Sequence, residues 1–226
     1  MEERYIRNIP AISEEQQLAL ADRSALIIGC GGLGGYVVEE LARIGVGHIT
    51  VTDGDVFNES NLNRQLFCTA ENIGRSKTEA AVERISSVNP DVELTAITQF
   101  LPISEISELV EKADVVIDAL DNVRDRLVLE DICKEKMVPL VHGAIQGWNL
   151  QVGLSTPGSE LLHRLYGTAS QEANDPSSAK TSLCSTVACC ASMEVAEAIK
   201  VLTGQESELA GKLFLMDLRT FENYII

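Results

Sequence analysis

The sequence has no C-x-x-C pair, few basic residues and no long apolar run, and each absence narrows what the protein can be. Its six cysteines (Cys30, Cys68, Cys133, Cys184, Cys189, Cys190) are scattered. Structural zinc sites of the paired type need two closely spaced thiolates in each half, so no zinc is expected. In a reducing compartment such cysteines behave as small buried hydrophobes. Lys and Arg number 18 against 34 Asp and Glu, a net charge of −16. That balance argues against nucleic acid as the main partner, because phosphate binding needs a basic footprint. A single nucleotide stays open, since a helix N-terminus and a few cations can hold one locally. Nowhere do about 18 uncharged apolar residues follow one another, so no membrane span is expected. The charged opening MEERYIRN lacks the apolar core of a secretory signal. A cytoplasmic protein is the expectation.

At 226 residues, 45% of them apolar, the chain fits a single α/β domain over 1–226 with a sizeable core. Apolar, β-branched runs alternate with helical stripes, the pattern of a Rossmann-like, mostly parallel sheet flanked by helices. Residues 1–22 read as an N-terminal helical arm in which Ser13 and Gln16 form a capping box. Strands are expected at 25–29, 48–52, 92–98, 114–118 and 138–142, with helices at 33–44, up to 88, 104–111 and 124–136. The polar stretch 54–75 is longer than an ordinary βα connection, which marks it as functional. Past residue 142 the pattern changes. Residues 150–155 alternate like an antiparallel strand, 166–182 read as a small, polar crossover loop, 184–202 as an apolar helix, and 212–217 and 221–225 as antiparallel C-terminal strands.

The turn Gly29-Cys30-Gly31-Gly32-Leu33-Gly34 sits between an expected strand and helix. Gly29, Gly31, Gly32 and Gly34 allow a tight turn and close approach of a phosphate, while the next helix offers its first N–H groups to the anion. Asp53 ends the second strand, where an acid accepts hydrogen bonds from ribose hydroxyls. Taken alone, this pattern fits an NAD enzyme as well as an ATP enzyme.

Further along stand Asp53-Gly54-Asp55, Asn61-Leu62-Asn63-Arg64-Gln65, Lys77 and Asp118-Ala119-Leu120-Asp121-Asn122, all at or beyond the C-terminal ends of expected strands. Open α/β sheets hold their ligands at that edge. Two cations, amides and several carboxylates around one nucleotide are more than hydride transfer needs. They suit movement of a phosphoryl group, which depends on positioning and charge neutralisation. Asp121 is an oxygen donor of the kind Mg²⁺ takes beside phosphates. Each residue also has a plainer reading: Asn122 as a helix cap, Arg64 and Lys77 as solvated charges.

With these motifs the sequence resembles the ThiF/MoeB/HesA adenylyltransferases, relatives of the ubiquitin-activating enzymes. The resemblance rests on Arg4-Tyr5-x-Arg7, GCGGLG at 29–34, GVGHITVTDGD at 45–55, NLNRQ at 61–65, Gly74-x-x-Lys77, Asn89-Pro90, DALDN at 118–122, Pro139-Leu140-Val141 and MEVAEAIKVLTG at 193–204. It implies that Gly32 contacts the phosphates of ATP and Asp53 the ribose, that Asn61, Arg64 and Lys77 bind the triphosphate, and that Asp121 holds Mg²⁺. It also implies that Arg7 is an arginine finger reaching into a neighbouring subunit of a homodimer. The substrate implied is the C-terminal Gly-Gly carboxylate of a small ubiquitin-like sulfur-carrier protein, converted to an acyl-adenylate.

Two departures stand out. Leu161-Leu162-His163 occupy the place of the first zinc-binding pair of many relatives. The crossover region 175–181 has Ser177, not a cysteine, nearest the position where several relatives form a covalent adduct. Cys184, seven residues on, reads as a buried small residue, which leaves sulfur insertion to a separate sulfurtransferase or cysteine desulfurase. Three rivals remain: an NAD(P) oxidoreductase with His142 as proton donor, an enzyme activating a small-molecule or tRNA-base carboxylate, and a non-catalytic subunit that binds a ubiquitin-like protein.

Overall fold

A computed structural model describes residues 2–167 and 181–226. One eight-stranded sheet runs through it, built from β1 (Ser24–Ile28), β2 (His48–Thr52), β3 (Glu93–Ile97), β4 (Val115–Asp118), β5 (Leu140–Gln146), β6 (Asn149–Ser155), β7 (Leu213–Asp217) and β8 (Asn223–Ile225) in the order β3-β2-β1-β4-β5-β6-β7-β8. Pairing is parallel from β3 to β5 and antiparallel from β5 to β8. The expected mixed α/β architecture, with its antiparallel C-terminal end, is what the chain forms.

Helices cover both faces. On one side α2 (Gly32–Ile44), α3 (Lys77–Val88) and α7 (Cys184–Leu202) pack Val37, Leu41, Ala81, Ile85, Val195 and Leu202 against Ile27, Ile49, Val51, Ile117 and Val152. On the other, α4 (Ser107–Glu111), α5 (Val123–Glu135) and α6 (Leu161–Tyr166) bury Val110, Leu129 and Leu162 against Leu26, Val116 and Leu140. Alternate residues of the central strands thus serve two cores, which is why those strands read as continuous apolar runs.

Local chemistry sets the element ends. α1 (Glu14–Ala19) opens on the expected capping box: Ser13 Oγ accepts from Gln16 N (3.1 Å) and Gln16 Oε1 accepts from Ser13 N (2.9 Å). Gly45 ends α2 at φ +94°, a left-handed cap open to glycine. The arm is docked on its own chain. Asn89 Nδ2 donates to Tyr5 Oη (2.8 Å) and Ala42 O (2.7 Å), Arg4 donates to Asn89 Oδ1, and Gln17 Nε2 donates to Ile44 O (2.8 Å).

Several boundaries differ from the sequence reading. β5 runs on to Gln146 and turns through Gly147 (φ +59°) into β6, so the antiparallel hairpin starts sooner than expected. α6, a single short turn-and-a-half, is too brief to show a helical period in the sequence. The helix expected at 104–111 divides into a 3₁₀ turn, Ile103–Glu105, and α4. Most of the expected crossover loop 166–182, Ser177 included, lies outside the described residues. Its distal end is anchored where Gly147 N donates to Thr181 O (2.9 Å) and Asn63 Nδ2 to Ser182 O (3.1 Å).

Candidate active site

The C-terminal ends of β1, β2 and β4 open onto a cleft of about 510 Å³. β1 lies between β2 and β4, so the chain leaves the sheet in opposite directions on either side of it, the switch point at which open α/β sheets bind ligands. The glycine turn forms its floor. Gly29 sits at φ +105°, and a Cβ there would lie 2.6 Å from the Ala119 carbonyl oxygen. A Cβ at Gly34 would collide with the Gly29 carbonyl oxygen, so Gly34 serves helix–strand packing and does not line the cleft. Gly31 and Gly32 do line it. They begin α2, whose first N–H groups have no partner within the helix.

Charge is organised around Asp53. Its Oδ2 accepts from Cys30 N (2.9 Å) and its Oδ1 from Asp55 N (2.8 Å), which ties the glycine turn to the loop after β2. Lys77, only 6% exposed, extends its ammonium to Asp55 Oδ2 (2.9 Å) and Asp53 Oδ2 (3.5 Å). It is therefore a cleft cation and not a solvated charge. Half-buried Arg64 donates through Nη1 to Ser60 O (3.0 Å) and Asn63 Oδ1 (2.8 Å). Asp121 is exposed on the opposite wall; Asn122 caps α5, accepting from Asp125 N (2.9 Å).

Of the residues singled out from sequence, the cleft brings together Gly29, Gly31, Gly32, Asp53, Asp55, Arg64, Lys77, Asp121 and Asn122. Asn61 is buried beneath the loop, its Oδ1 accepting from Asn58 N (2.9 Å), and is not on the cleft wall. Arg7 is exposed on the 3₁₀ turn Glu3–Asn8 of the docked arm, away from this cleft.

Sequence reasoning gave no role to several lining residues. Gln65 is 7% exposed and its Oε1 has no hydrogen-bond partner among the described residues. Arg126 is 8% exposed. Phe100, Leu101, Ile103 and Ile106 form an apolar wall. The signals are faint: Gln65 follows Arg64 inside a motif, and Arg126 is one charge among several on a polar helix.

Two expectations need correction. His142 does not reach the cleft: it is wholly buried, with Nδ1 2.7 Å from Asp118 Oδ2 and Nε2 2.9 Å from Gln151 Nε2 and 3.2 Å from Tyr166 Oη. Burial pushes its pKa down, and a side chain off the cleft wall does not meet a bound substrate as that rival reading requires. Cys184 is not buried; it is exposed at the start of α7, with Sγ 3.2 Å from Tyr36 Oη. Desolvation, then the Cys184 contact, lift Tyr36 to about 12. Cys30 is the buried thiol of the glycine turn, and burial raises its pKa far above the ordinary range.

The ThiF family profile matches residues 3–225. The "SAMP-activating enzyme E1" of Haloferax volcanii is 34% identical over 97% of this chain and 83% of its own length. The "Sulfur carrier protein ThiS adenylyltransferase" of Escherichia coli is 35% identical over 95% and 86%, and the "Molybdopterin-synthase adenylyltransferase" of the same organism is 32% identical over 90% and 82%. Among solved structures, E. coli MccB with ATP superposes with a TM-score of 0.84 at 20% identity, over 100% of this chain and 71% of that one, a likeness of fold. Matched over almost its entire length, the chain belongs to the ThiF family.

Proposed function

We propose that this protein is an ATP-dependent adenylyltransferase that activates the C-terminal carboxylate of a ubiquitin-like sulfur-carrier protein. One observation carries the reading: a single cleft holds the open N-terminus of α2 together with two cations, Arg64 and Lys77, at the switch point of the sheet. A helix N-terminus binds phosphate, and added cations suit a phosphorus centre that gains negative charge during substitution. Two of these relatives are named adenylyltransferases, one of them of the sulfur carrier protein ThiS, and a third is named an activating enzyme, which supports the reaction class and a carrier substrate. The carrier is the part of the proposal drawn from them.

In this reading the triphosphate lies over Gly31 and Gly32, and Asp53 receives the ribose hydroxyls while it keeps its bonds to Cys30 N and Asp55 N. Lys77 exchanges its 2.9 Å contact with Asp55 for phosphate oxygens. Arg64 does the same from the rim, on a loop that Asn61 holds in place. The carrier carboxylate, ionised at neutral pH, attacks the α-phosphorus; a carboxyl O–P bond forms, the bond to the bridging oxygen breaks, and pyrophosphate departs. No protein nucleophile is required.

The donor set also suits Mg²⁺. Four carboxylates (Asp53, Asp55, Asp121, Asp125) line the cleft against three cations (Arg64, Lys77, Arg126), so the wall alone does not neutralise a triphosphate. Mg²⁺ held by Asp121 together with phosphate oxygens and water would supply that neutralisation. Arg7, exposed on the arm and away from its own cleft, acts in this reading at the cleft of a second subunit.

The test is exchange of labelled pyrophosphate into ATP in the presence of candidate carriers that end in Gly-Gly. Wild type exchanges label only with ATP and a carrier present. Arg64→Ala and Asp121→Ala abolish exchange with the fold intact by circular dichroism. Exchange that persists in both variants refutes the placement of the site.

A further inference from the structure

At the base of the cleft lies a buried polar cluster, of which Arg126 alone reaches the cleft lining and whose other members take no part in the reaction as described. Residues 119–122 form one cleft wall, and Asp121 stands on it. The peptide groups of Leu120 are gripped at both ends. Its N–H donates to Asp118 Oδ1 (2.9 Å), and its carbonyl accepts from Arg126 Nη2 (2.5 Å). Those two side chains pair with each other, Arg126 Nε lying 3.3 Å from Asp118 Oδ2, and both are buried.

Behind them, His142 Nδ1 is 2.7 Å from the same Asp118 oxygen. An anionic carboxylate only accepts, so Nδ1 carries the hydrogen and Nε2 is left as the acceptor. Gln151 Nε2 (2.9 Å) and Tyr166 Oη (3.2 Å) face that acceptor, and Arg126 Nη1 donates to Tyr166 Oη (3.3 Å). Side chains from β4 and α5 thus hold one loop peptide, and side chains from β5, β6 and α6 hold those two in turn. Burial alone would raise the Asp118 pKa, but the Arg126 guanidinium, His142 and the Leu120 N–H together hold it below the usual carboxylate range. A buried anion held this way has fixed direction as well as charge, because every alternative pose leaves a polar group unpaired.

We infer that Asp118, Arg126 and His142 are positioning residues that clamp the Leu120 peptide and thereby set where the Asp121 carboxylate meets metal-bound nucleotide. The inference rests on the reading above in which Asp121 holds Mg²⁺. His142 is the informative position, since it touches neither the cleft nor any group placed against substrate. His142→Asn keeps a side-chain donor for Asp118; His142→Leu removes it and the acceptor behind it.

The measurement is binding of a fluorescent ATP analogue as a function of Mg²⁺, with and without EDTA, beside a thermal melt of each variant. For His142→Leu the Mg²⁺ concentration at half-maximal binding rises about tenfold, while nucleotide affinity in EDTA changes less than twofold. His142→Asn stays within about threefold of wild type in both. Arg126→Lys, which keeps the charge but loses the forked reach to Leu120 O, reproduces the rise. A role confined to stability would lower the melting temperature and leave the Mg²⁺ dependence in place. That result overturns the inference, as would failure of both His142→Leu and Arg126→Lys to fold. Wild type that binds nucleotide with no response to Mg²⁺ instead sinks the reading of Asp121 on which the inference stands.

Discussion

Replacement of Gly32 by alanine separates the cleft from the fold. Gly32 begins α2, and a Cβ there would lie 3.3 Å from Val187 Cγ1, 3.7 Å from Val187 Cγ2 and 3.8 Å from Arg64 Cγ. The nearest of these, the Val187 methyls, end their side chain and can yield by a few tenths of an ångström. Alanine also gains up to about 1 kcal/mol over glycine in a helix interior, less at its first turn, so crowding and propensity roughly offset each other. The expected change in unfolding free energy is therefore within about 1 kcal/mol.

For ATP the balance is different. The added methyl stands at the start of the helix, on the cleft wall where a phosphate must approach backbone N–H groups. One charge-assisted hydrogen bond lost there is about 1.5–3 kcal/mol, which is roughly a 10- to 150-fold rise in Kd. Gly34→Ala supplies the contrast. Its Cβ would strike the Gly29 carbonyl oxygen, a backbone atom that cannot move aside cheaply, so this variant loses stability first. Calorimetric titration of ATP with a urea melt of each protein decides the matter. Gly32→Ala that binds ATP like wild type would refute the phosphate cradle.

Three further outcomes are expected. Glu194 lies fully buried on α7 with no hydrogen-bond partner for either carboxylate oxygen among the described residues, and burial followed by Asp118 raises its pKa well above the ordinary 4.5. The folded state therefore holds that proton more tightly than the unfolded chain, so its contribution is complete below about pH 4.5 and is lost as pH rises through the raised value. Glu194→Gln should remove this loss, of at most about 1.4 kcal/mol per pH unit within the window, and be the more stable form at pH 8 in urea melts; parallel stability curves for the two proteins would contradict it. Cys184→Ala should keep at least half of the pyrophosphate exchange rate, since adenylylation needs no thiol; loss of exchange together with a carrier adduct seen by mass spectrometry only in wild type would show that Cys184 takes part. If Arg7 acts at the cleft of a second subunit as proposed, mixed Arg7→Ala and Lys77→Ala subunits should recover exchange that neither variant shows alone, because one cleft of such a pair has both cations intact; no recovery would place Arg7 outside the reaction.

The cleft was legible in sequence to the extent that its residues sit at strand ends. The glycine turn, Asp53 and Asp121 follow β1, β2 and β4 directly, so locating the strands also locates them. Lys77 was harder, because a lysine at a helix start reads as a surface charge until Asp53 and Asp55 are seen to enclose it. Loop 54–75 folds back so that Phe57 N donates to Arg75 O (3.0 Å) and Gly74 N to Phe57 O (2.8 Å), which delivers Lys77 to the cleft, and periodicity carries no trace of that closure. The arm shows the same limit. Arg4 and Tyr5 serve as its anchors on Asn89, a pairing across 84 and 85 positions that local pattern does not encode.

The placement of Arg126 and His142 shows why polar residues buried behind a site escape a reading of sequence. Local pattern assigns Arg126 to a solvated face of α5, yet its carbon stem turns inward and its guanidinium serves Asp118, Leu120 O and Tyr166. Burial of the cation is tolerated because β4 supplies an anion at 3.3 Å, and burial of that anion because the guanidinium, the β5 imidazole at 2.7 Å and the Leu120 N–H all meet it. Each residue is explicable once the other two are in place, and none is from its own neighbours in the chain. The glycines and acids at the strand ends are set by local geometry, while the groups that fix their orientation are set by contacts between distant segments.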